Sequence, residues 1–244
     1  MTMTVRCEVL GGVATITLDS PANRNALSRE LLTDLHTALD RSEQPDVRVI
    51  VLAHTPPVFC AGADLKQRSE GPSDSTPMVQ AMQRLSDAAQ PTIAAVQGPV
   101  RAGGIGLMAS CDLVVVQSDV TFAFTEVRIG VAPAIISVPI LARVPWTKVA
   151  APFLTGETFG AAAALEMGLV THVADDVPAA VSALVAGVLA GAPGAVAATK
   201  RLLRATHSWA EMQALSEALF VGPEATEGMR AFAERRAPNW AQGA

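Results

Sequence analysis

Residues 92–112 constrain the fold of this chain more than any other stretch, because a short apolar run ends there in glycines and restarts as an apolar segment of helical length. Residues 92–96 predict a buried strand, and Gly103 and Gly104 predict a tight turn into a helix. The first turn of a helix carries backbone N–H groups without intrahelical partners, at the positive end of the helix dipole. Glycines there let another molecule approach the backbone closely. The stretch can therefore hold a negatively charged oxygen, although a strand-to-helix turn that only needs small residues explains the same pattern.

Strand and helix patterns alternate through the first half of the chain. Gly11 and Gly12 join two alternating runs, which indicates a hairpin. Ser28 suits the N-cap of a helix whose leucines share one face. Residues 67–77 are polar, which predicts a mobile surface loop. The predicted strands are residues 6–10, 13–18, 47–53, 92–96, 113–116 and 121–124. One predicted helix begins after Ser28, and a second covers residues 78–89.

Strand patterns become scarce beyond Val144. Glycines there separate apolar segments that predict helices, and one short strand, residues 169–173, interrupts them. The predicted helices are residues 146–154, 161–167, 177–190, 196–206, 209–220 and 224–235. The whole pattern predicts an α/β fold, with helices around a buried sheet in the first half of the chain and an all-helical region after it.

Composition excludes several classes of protein. The net charge is -5 at pH 7, whereas a nucleic-acid partner normally requires a basic face. Cys7, Cys60 and Cys111 have no paired spacing, which indicates free thiols in a reducing compartment. No apolar signal segment is visible, and no uncharged run reaches membrane-spanning length. We therefore expect a cytoplasmic protein with no nucleic-acid and no membrane partner.

Two glycine-containing turns, residues 60–64 and 102–104, are candidates for binding an oxyanion. Each follows an apolar strand and precedes a predicted helix. Backbone N–H groups from two turns can converge on one oxygen, and one such donor is worth about 10²–10³ in rate. Small residues are needed in both turns so that the backbone can be reached. Spacing along the chain does not establish that the two turns converge.

Glu126 is the candidate acid–base group, because it lies in an apolar segment, residues 122–131. A carboxylate that loses water in such surroundings has a raised pKa, which suits proton transfer near neutral pH. An ion pair with Arg128, or a solvated position at the edge of the fold, would explain the same residue without catalysis.

Other catalytic motifs match the sequence poorly. Residues 104–109 fit the dinucleotide-binding pattern G-x-G-x-x-A, but these glycines come well after the strand end at Val96. Ser110 lacks the G-x-S-x-G context of a nucleophile elbow. The histidines have no metal-ligand spacing, so no metal site is expected; they are His36, His54, His172 and His207.

Taken together, the candidate segments resemble the crotonase family, the enoyl-CoA hydratases and isomerases. The most specific match is Phe-Cys-Ala-Gly-Ala-Asp-Leu at residues 59–65. The segments occur in the order that the family has, and they extend over nearly the whole chain. They are residues 21–28, 59–66, 96–112, 122–133, 198–200 and 232–240.

The resemblance implies a crotonase-like spiral of ββα units, residues 1–190, followed by a helical trimerisation region, residues 191–244. It also implies a homotrimer or homohexamer. The implied substrate is an acyl-CoA thioester, with no separate cofactor because coenzyme A is part of the substrate. By resemblance, the N–H groups of Ala63 and Gly103 form an oxyanion hole for the thioester oxygen, and Glu126 moves the proton.

The resemblance further implies contacts with coenzyme A near the first glycine turn. Residues 61–65 would border the adenine end, and Arg24 and Lys66 would contact phosphates. The predicted coenzyme A contacts are Arg24, Ala61, Asp64, Leu65 and Lys66. The acyl group is expected to contact residues 67–77, residues 135–141 and the C-terminal helices.

Two departures from the family pattern bear on the reaction. Hydratases with two catalytic glutamates carry the first at the position of Gly106, whereas the second matches Glu126. Ala134 stands where the family often has glycine after Pro133. One carboxylate can add water to a 2-enoyl-CoA, acting first as base and then as acid, or it can shuttle a proton between the α and γ carbons. We expect hydration, with enoyl-CoA Δ3-Δ2 isomerisation nearly level and a non-catalytic acyl-CoA binding protein as a third hypothesis.

Overall fold

A hairpin that depends on glycine opens the fold. The structure is a computed structural model that describes residues 3–69 and 74–241. Gly11 and Gly12 have φ values of +56° and +79°, a region that residues with a side chain rarely adopt. They join β1 (Val5–Leu10) to β2 (Val13–Leu18) in an antiparallel pair. The predicted hairpin is confirmed.

The described residues then alternate between strands and helices. The remaining strands are β3 (Val49–His54), β4 (Thr92–Val96), β5 (Val100–Arg101), β6 (Leu113–Gln117), β7 (Thr121–Ala123), β8 (Phe159–Gly160) and β9 (His172–Ala174). The helices are α1 (Arg29–Ser42), α2 (Leu65–Ser69), α3 (Thr76–Asp87), α4 (Gly103–Ala109), α5 (Ala134–Leu141), α6 (Trp146–Thr155), α7 (Ala161–Met167), α8 (Val177–Ala190), α9 (Pro193–Leu202), α10 (Trp209–Phe220) and α11 (Pro223–Ala233). Short 3-10 turns cover Pro21–Asn23, Thr125–Ile129 and Asn239–Ala241.

The main sheet is covered on both faces, which explains the continuous apolar runs in the sequence. Its strand order is β1-β2-β3-β4-β6-β9, and β2, β3, β4, β6 and β9 run parallel. In β3, Ile50 and Leu52 join a core that includes residues of α1, α3 and α4, whereas Val49 and Val51 pack with residues of α8. A strand buried on both faces has no polar side, so its sequence does not alternate.

The loops that follow β3 and β4 lie side by side at one edge of this sheet. The Phe59 N–H donates to the Pro99 carbonyl at 3.2 Å, and the Arg101 N–H donates to the Cys60 carbonyl at 3.0 Å. Beyond this contact, β5 pairs with β7, and β7 with β8, in a small second sheet. The two loops therefore carry their glycine turns into the same neighbourhood.

The C-terminal end of α4 is fixed by basic side chains. The Arg143 guanidinium donates to the carbonyls of Ala109 at 3.2 Å and Cys111 at 2.5 Å. The Asp112 carboxylate accepts from Lys200 at 2.8 Å and from Arg204 at 2.6 Å. Cations near a helix C-terminus complement its partial negative charge. The helix that begins at Gly103 is thus anchored at its far end.

The predicted loop at residues 67–77 is wrong at both of its ends. Its first residues belong to α2, because the Asp64 side chain accepts from the N–H groups of Lys66 at 3.0 Å and Gln67 at 3.3 Å and so caps a helix. Its last residues begin α3, where Pro77 occupies one of the first two helical positions. Residues 70–73 lie outside the described residues.

Besides α2, the elements α5, β5 and β8 were missed, and several boundaries differ from the prediction. Helix α5 contains Pro139 and a run of β-branched residues, which favour other structures in isolation. Strands β5 and β8 have two residues each. The strand predicted at residues 169–173 lies at His172–Ala174 (β9). It begins later because the N–H groups of Leu169 and Val170 donate to the Ala164 carbonyl and so end α7. Pro193 starts α9 before the predicted residue 196.

The C-terminal helices are poorly buried in a single chain. Helix α10 has no buried residue. Large apolar side chains are exposed on and between these helices: Leu203, Trp209, Phe220, Val221 and Phe232. The division into residues 1–190 and 191–244 stays a prediction. No single helix in the described ranges is long and apolar enough to cross a membrane, and α8 with α9 meets that test only as a pair bent by 110°.

His54 links the ends of the two strands that lead to the glycine turns. Its side chain is buried, and its Nε2 lies 3.0 Å from the backbone nitrogen of Gln97. A backbone N–H can only donate, so Nε2 must be unprotonated in the folded chain. Burial lowers the pKa of the His54 imidazole, against a smaller raising effect from the Thr55 and Val58 carbonyls.

We predict that His54 makes the folded state sensitive to mild acid. Because the folded pKa lies below that of the unfolded chain, about 6.5, the unfolded chain binds the proton first as the pH falls through this value. The free energy of unfolding should therefore decrease between pH 7.5 and 5.5, and by less in His54→Gln, whose amide oxygen can still accept. Urea titrations at both pH values measure this, and equal losses in the two proteins would contradict it.

Candidate active site

The two glycine turns meet in space. Gly62 has a φ of +89° and approaches the second turn so closely that a Cβ there would lie 2.9 Å from the Ala102 Cβ and 3.3 Å from the Gly103 nitrogen. A Cβ built on Gly103 would lie 3.6 Å from the Ala63 nitrogen. Residues 62–63 and 102–103 are therefore in direct contact, which spacing along the sequence did not establish.

The backbone of the second turn is unusual in a way that matters for Gly103. Ala102 has φ 48° and ψ −122°, and a non-glycine residue with positive φ is uncommon. Strained backbone of this kind is found at functional sites, where the surrounding structure enforces it. Here the Ala102 N–H is tied to the Ala123 carbonyl at 3.1 Å. Gly103 is the first residue of α4, so its own N–H has no partner within the helix.

Ala63 and Gly103 both contribute to the wall of one cavity of about 450 Å³. Neither of their N–H groups donates in any hydrogen bond found between the described residues. The remaining wall comes from the segment that contains Glu126, from α5 and from α3. Its residues are Ala61, Leu65, Ser75, Met78, Ala102, Thr125, Glu126, Ile129, Val131, Ala132, Pro133, Ala134, Ile135 and Ile136.

Glu126 is the only ionisable residue in the described wall of this cavity. Its Oε2 is buried and has no hydrogen-bond partner. Burial raises the pKa of the carboxyl, partly offset by a hydrogen bond from its own backbone N–H. The alternative ion pair with Arg128 is not formed, since the Arg128 Nε donates to the Thr155 carbonyl at 3.2 Å. The Oε2 atom is therefore desolvated and unpaired in a residue that lines the cavity.

The predicted coenzyme A contacts divide into two groups. Ala61 and Leu65 line the cavity. Arg24 and Lys66 are exposed, and the Asp64 carboxylate caps α2; these three do not line the cavity. Their contacts with coenzyme A stay predictions.

The space beside Gly106 is filled by α5. A Cβ on Gly106 would lie 2.5 Å from the Ile136 Cγ2, 2.8 Å from the Ile136 Cβ and 2.9 Å from the Met82 Cε. These separations are far below van der Waals contact, so a side chain at residue 106 requires Ile136 to move. At Gly106 the two helices α4 and α5 therefore make an apolar contact rather than leave an opening.

Met78, which reaches the cavity from α3, had no motif to mark it in the sequence. Four further residues of the wall lie in the segment 122–133 that carries the family resemblance: Ile129, Val131, Ala132 and Pro133. Of the predicted acyl-group contacts, Ser75, Ile135 and Ile136 line the cavity, whereas no described residue of the C-terminal helices does. The contact of Met78 with the cavity could have been inferred only from its helical face.

Comparisons with known proteins agree with this arrangement. The family model described as Enoyl-CoA hydratase/isomerase matches residues 8–243. The enoyl-CoA hydratase EchA19 of Mycobacterium tuberculosis is 34% identical over a 248-residue alignment that covers 94% of this chain and 93% of that protein.

Two crystal structures of enoyl-CoA hydratases are similar to this chain. That from Mycobacterium smegmatis is 30% identical with a TM-score of 0.90, covering 97% of this chain and 98% of that chain. That from Mycobacterium avium is 42% identical with a TM-score of 0.76, and the match covers 98% of this chain and 100% of that chain. The predicted α/β fold with a helical C-terminal region is confirmed.

We predict that Gly106→Ala destabilises the chain, because its Cβ would overlap Ile136. Overpacking of this kind costs about 1–3 kcal/mol, against a gain of up to about 1 kcal/mol in helix propensity. Ile136→Ala alone should cost about 2–5 kcal/mol. The double variant should lose less than the sum of the two single losses, as measured by denaturant unfolding. Strictly additive losses would show that the two residues do not compete for the same space.

Proposed function

This chain belongs to the enoyl-CoA hydratase/isomerase family, and from that premise we propose that it hydrates a 2-enoyl-CoA thioester with Glu126 as its single acid–base group. The observation that carries the proposal is the buried, unpartnered Oε2 of Glu126 in the cavity that Ala63 and Gly103 also line. A desolvated carboxylate beside two accessible N–H groups suits chemistry in which a proton moves while negative charge develops on an oxygen.

In the proposed mechanism, the N–H groups of Ala63 and Gly103 bind the thioester oxygen. When water adds to the β carbon, electron density moves through the double bond onto that oxygen, and the thioester becomes an enolate. Each N–H donor binds the charged enolate oxygen more strongly than it binds the neutral carbonyl oxygen of the substrate. This difference in binding lowers the barrier to the reaction. Loss of one such donor costs about 10²–10³ in rate.

Glu126 serves as base and then as acid. Its carboxylate removes a proton from the water whose oxygen bonds to the β carbon. It then gives this proton to the α carbon, so that the enolate collapses to the saturated thioester and the carboxylate is regenerated. The raised pKa of Glu126 makes the carboxylate a stronger base than an exposed glutamate. The proposed chemistry uses no cofactor beyond the coenzyme A of the substrate.

Double-bond isomerisation is a second candidate, and the Gly106–Ile136 contact favours it. The apolar Ile136 leaves the described cavity wall without a second carboxylate to hold water. In this reaction Glu126 removes a proton from the α carbon of a 3-enoyl-CoA and returns it to the γ carbon, so that the double bond moves between the α and β carbons. The same two N–H groups stabilise the dienolate that forms between these steps.

We propose a homotrimer or homohexamer, as the family resemblance implies. The exposed apolar side chains of the C-terminal helices support this, since single chains rarely leave such residues in water together. Sedimentation equilibrium reports the mass of the assembly, and the mass of one chain would contradict the proposal. The free thiols of all three cysteines support the proposed cytoplasmic location.

We predict that Glu126→Gln lowers kcat by about 10²–10⁴, the contribution of one general acid–base group. Binding of a saturated acyl-CoA should change little, because the amide has nearly the shape of the carboxylate. Glu157→Gln is the matched control, since Glu157 is exposed and lies outside the cavity wall. Wild-type turnover by Glu126→Gln would show that another group moves the proton.

Product analysis decides between the candidate reactions. The protein is incubated separately with a 2-enoyl-CoA and a 3-enoyl-CoA, and the products are identified by mass spectrometry and chromatography. Hydration adds the mass of one water to the 2-enoyl-CoA, whereas isomerisation changes retention without changing mass. Tight binding of both substrates with no turnover across a broad panel would instead support the acyl-CoA binding protein.

A further inference from the structure

We infer that Ile136 determines specificity by limiting branching at the β carbon of the acyl group, an inference that rests on the proposed acyl-CoA function. The residue belongs to α5 and is 2% exposed. It contacts α4 through its Cβ and Cγ2 beside Gly106, and it also forms part of the cavity wall. One side chain thus connects the position of the missing carboxylate with the space available to the substrate.

The position of Gly106 along α4 indicates which part of the substrate Ile136 meets. Gly103, at the start of α4, carries one of the proposed N–H donors to the thioester oxygen. Gly106 follows three residues later, which is about 4.5 Å along the helix axis at 1.5 Å per residue. The α and β carbons, two and three bonds from the thioester oxygen, lie within that distance. Ile136 therefore meets the α and β carbons rather than coenzyme A or the far end of a long acyl chain.

The Ile136 side chain forms a rigid part of the cavity wall. A β-branched side chain has one strongly preferred χ1 rotamer in a helix, and the contact with Gly106 leaves Ile136 no room to move towards α4. Helix α4 is itself held by the bonds from Arg143 to the carbonyls of Ala109 and Cys111. A methyl branch on the β carbon would have to displace this wall, whereas a straight chain would not.

The residues behind Ile136 leave room for a larger acyl group once residue 136 has a shorter side chain. Met82 is the next side chain, with its Cε close to the same point beside Gly106, and methionine adapts to irregular space. Shortening Ile136 should therefore create room bounded by a glycine and a flexible thioether. One methyl group in an apolar pocket changes specificity by about 10–200-fold, which sets the size of the expected effect.

The test compares butyryl-CoA with 3-methylbutyryl-CoA, which differ by one methyl group on the β carbon. Both acyl groups are saturated, so neither is a substrate for hydration and binding is measured without turnover. Isothermal titration calorimetry gives Kd for the wild type, Ile136→Val and Ile136→Ala. Ile140→Ala is the matched control, because Ile140 is fully buried on the same helix but does not line the cavity.

We expect the wild type to bind butyryl-CoA at least tenfold more tightly than 3-methylbutyryl-CoA. Ile136→Ala should reduce this ratio about tenfold or more, Ile136→Val should reduce it less, and Ile140→Ala should leave it unchanged. An unchanged ratio in Ile136→Ala and Ile136→Val, with both ligands still bound, would overturn the inference while leaving the proposed function intact. If neither thioester bound the wild type, the proposed function itself would fail, and the inference with it.

Discussion

The contact between the loops that follow β3 and β4 is the interaction on which the candidate site depends. Backbone hydrogen bonds join residues 59–60 to residues 99–101, and the approach is too close for side chains. A Cβ on Gly98 would lie 2.3 Å from the Pro57 carbonyl oxygen, and one on Gly104 would lie 2.7 Å from the Cys60 Cβ. Glycine at these positions lets residues of two separate loops, Ala63 and Gly103, line one cavity.

This contact also explains why the site combines rigid backbone with a desolvated carboxylate. The backbone of Ala63 and Gly103 is held by the paired loops and by an anchored helix, so in the proposed function their N–H groups need no rearrangement to bind the thioester oxygen. Glu126 reaches the same cavity from a 3-10 turn whose surroundings are largely apolar. Ile136, which packs against Gly106, extends that apolar wall, and a low-dielectric wall strengthens the electrostatic interactions of the Glu126 carboxylate.

Much of the fold follows from local patterns in the sequence. The Gly11–Gly12 hairpin and the apolar runs of the parallel strands have clear periodicity, and helices α7, α8 and α10 match their predicted bounds. The crotonase-like family follows from the order of several short segments. Helix α5 escapes prediction because Pro139 and its β-branched residues have low helix propensity, and tertiary packing against α4 overrides that preference.

The candidate site is less predictable than the fold, since it depends on contacts between distant parts of the chain. The sequence indicates each glycine turn and marks Glu126, but only the packed loops bring the turns together. The absence of a carboxylate at residue 106 is plain in the sequence, whereas the side chain that fills its place is not. Ile136 lies on a different helix, and no spacing rule connects the two residues.

The most direct test of this account is a crystal structure of the protein with a saturated acyl-CoA bound. The account predicts that the thioester oxygen lies within about 3.1 Å of the backbone nitrogens of both Ala63 and Gly103, with the Glu126 carboxylate beside the α and β carbons and Ile136 against the β carbon. A thioester oxygen bound elsewhere, or an acyl group outside the cavity that contains Glu126, would contradict it.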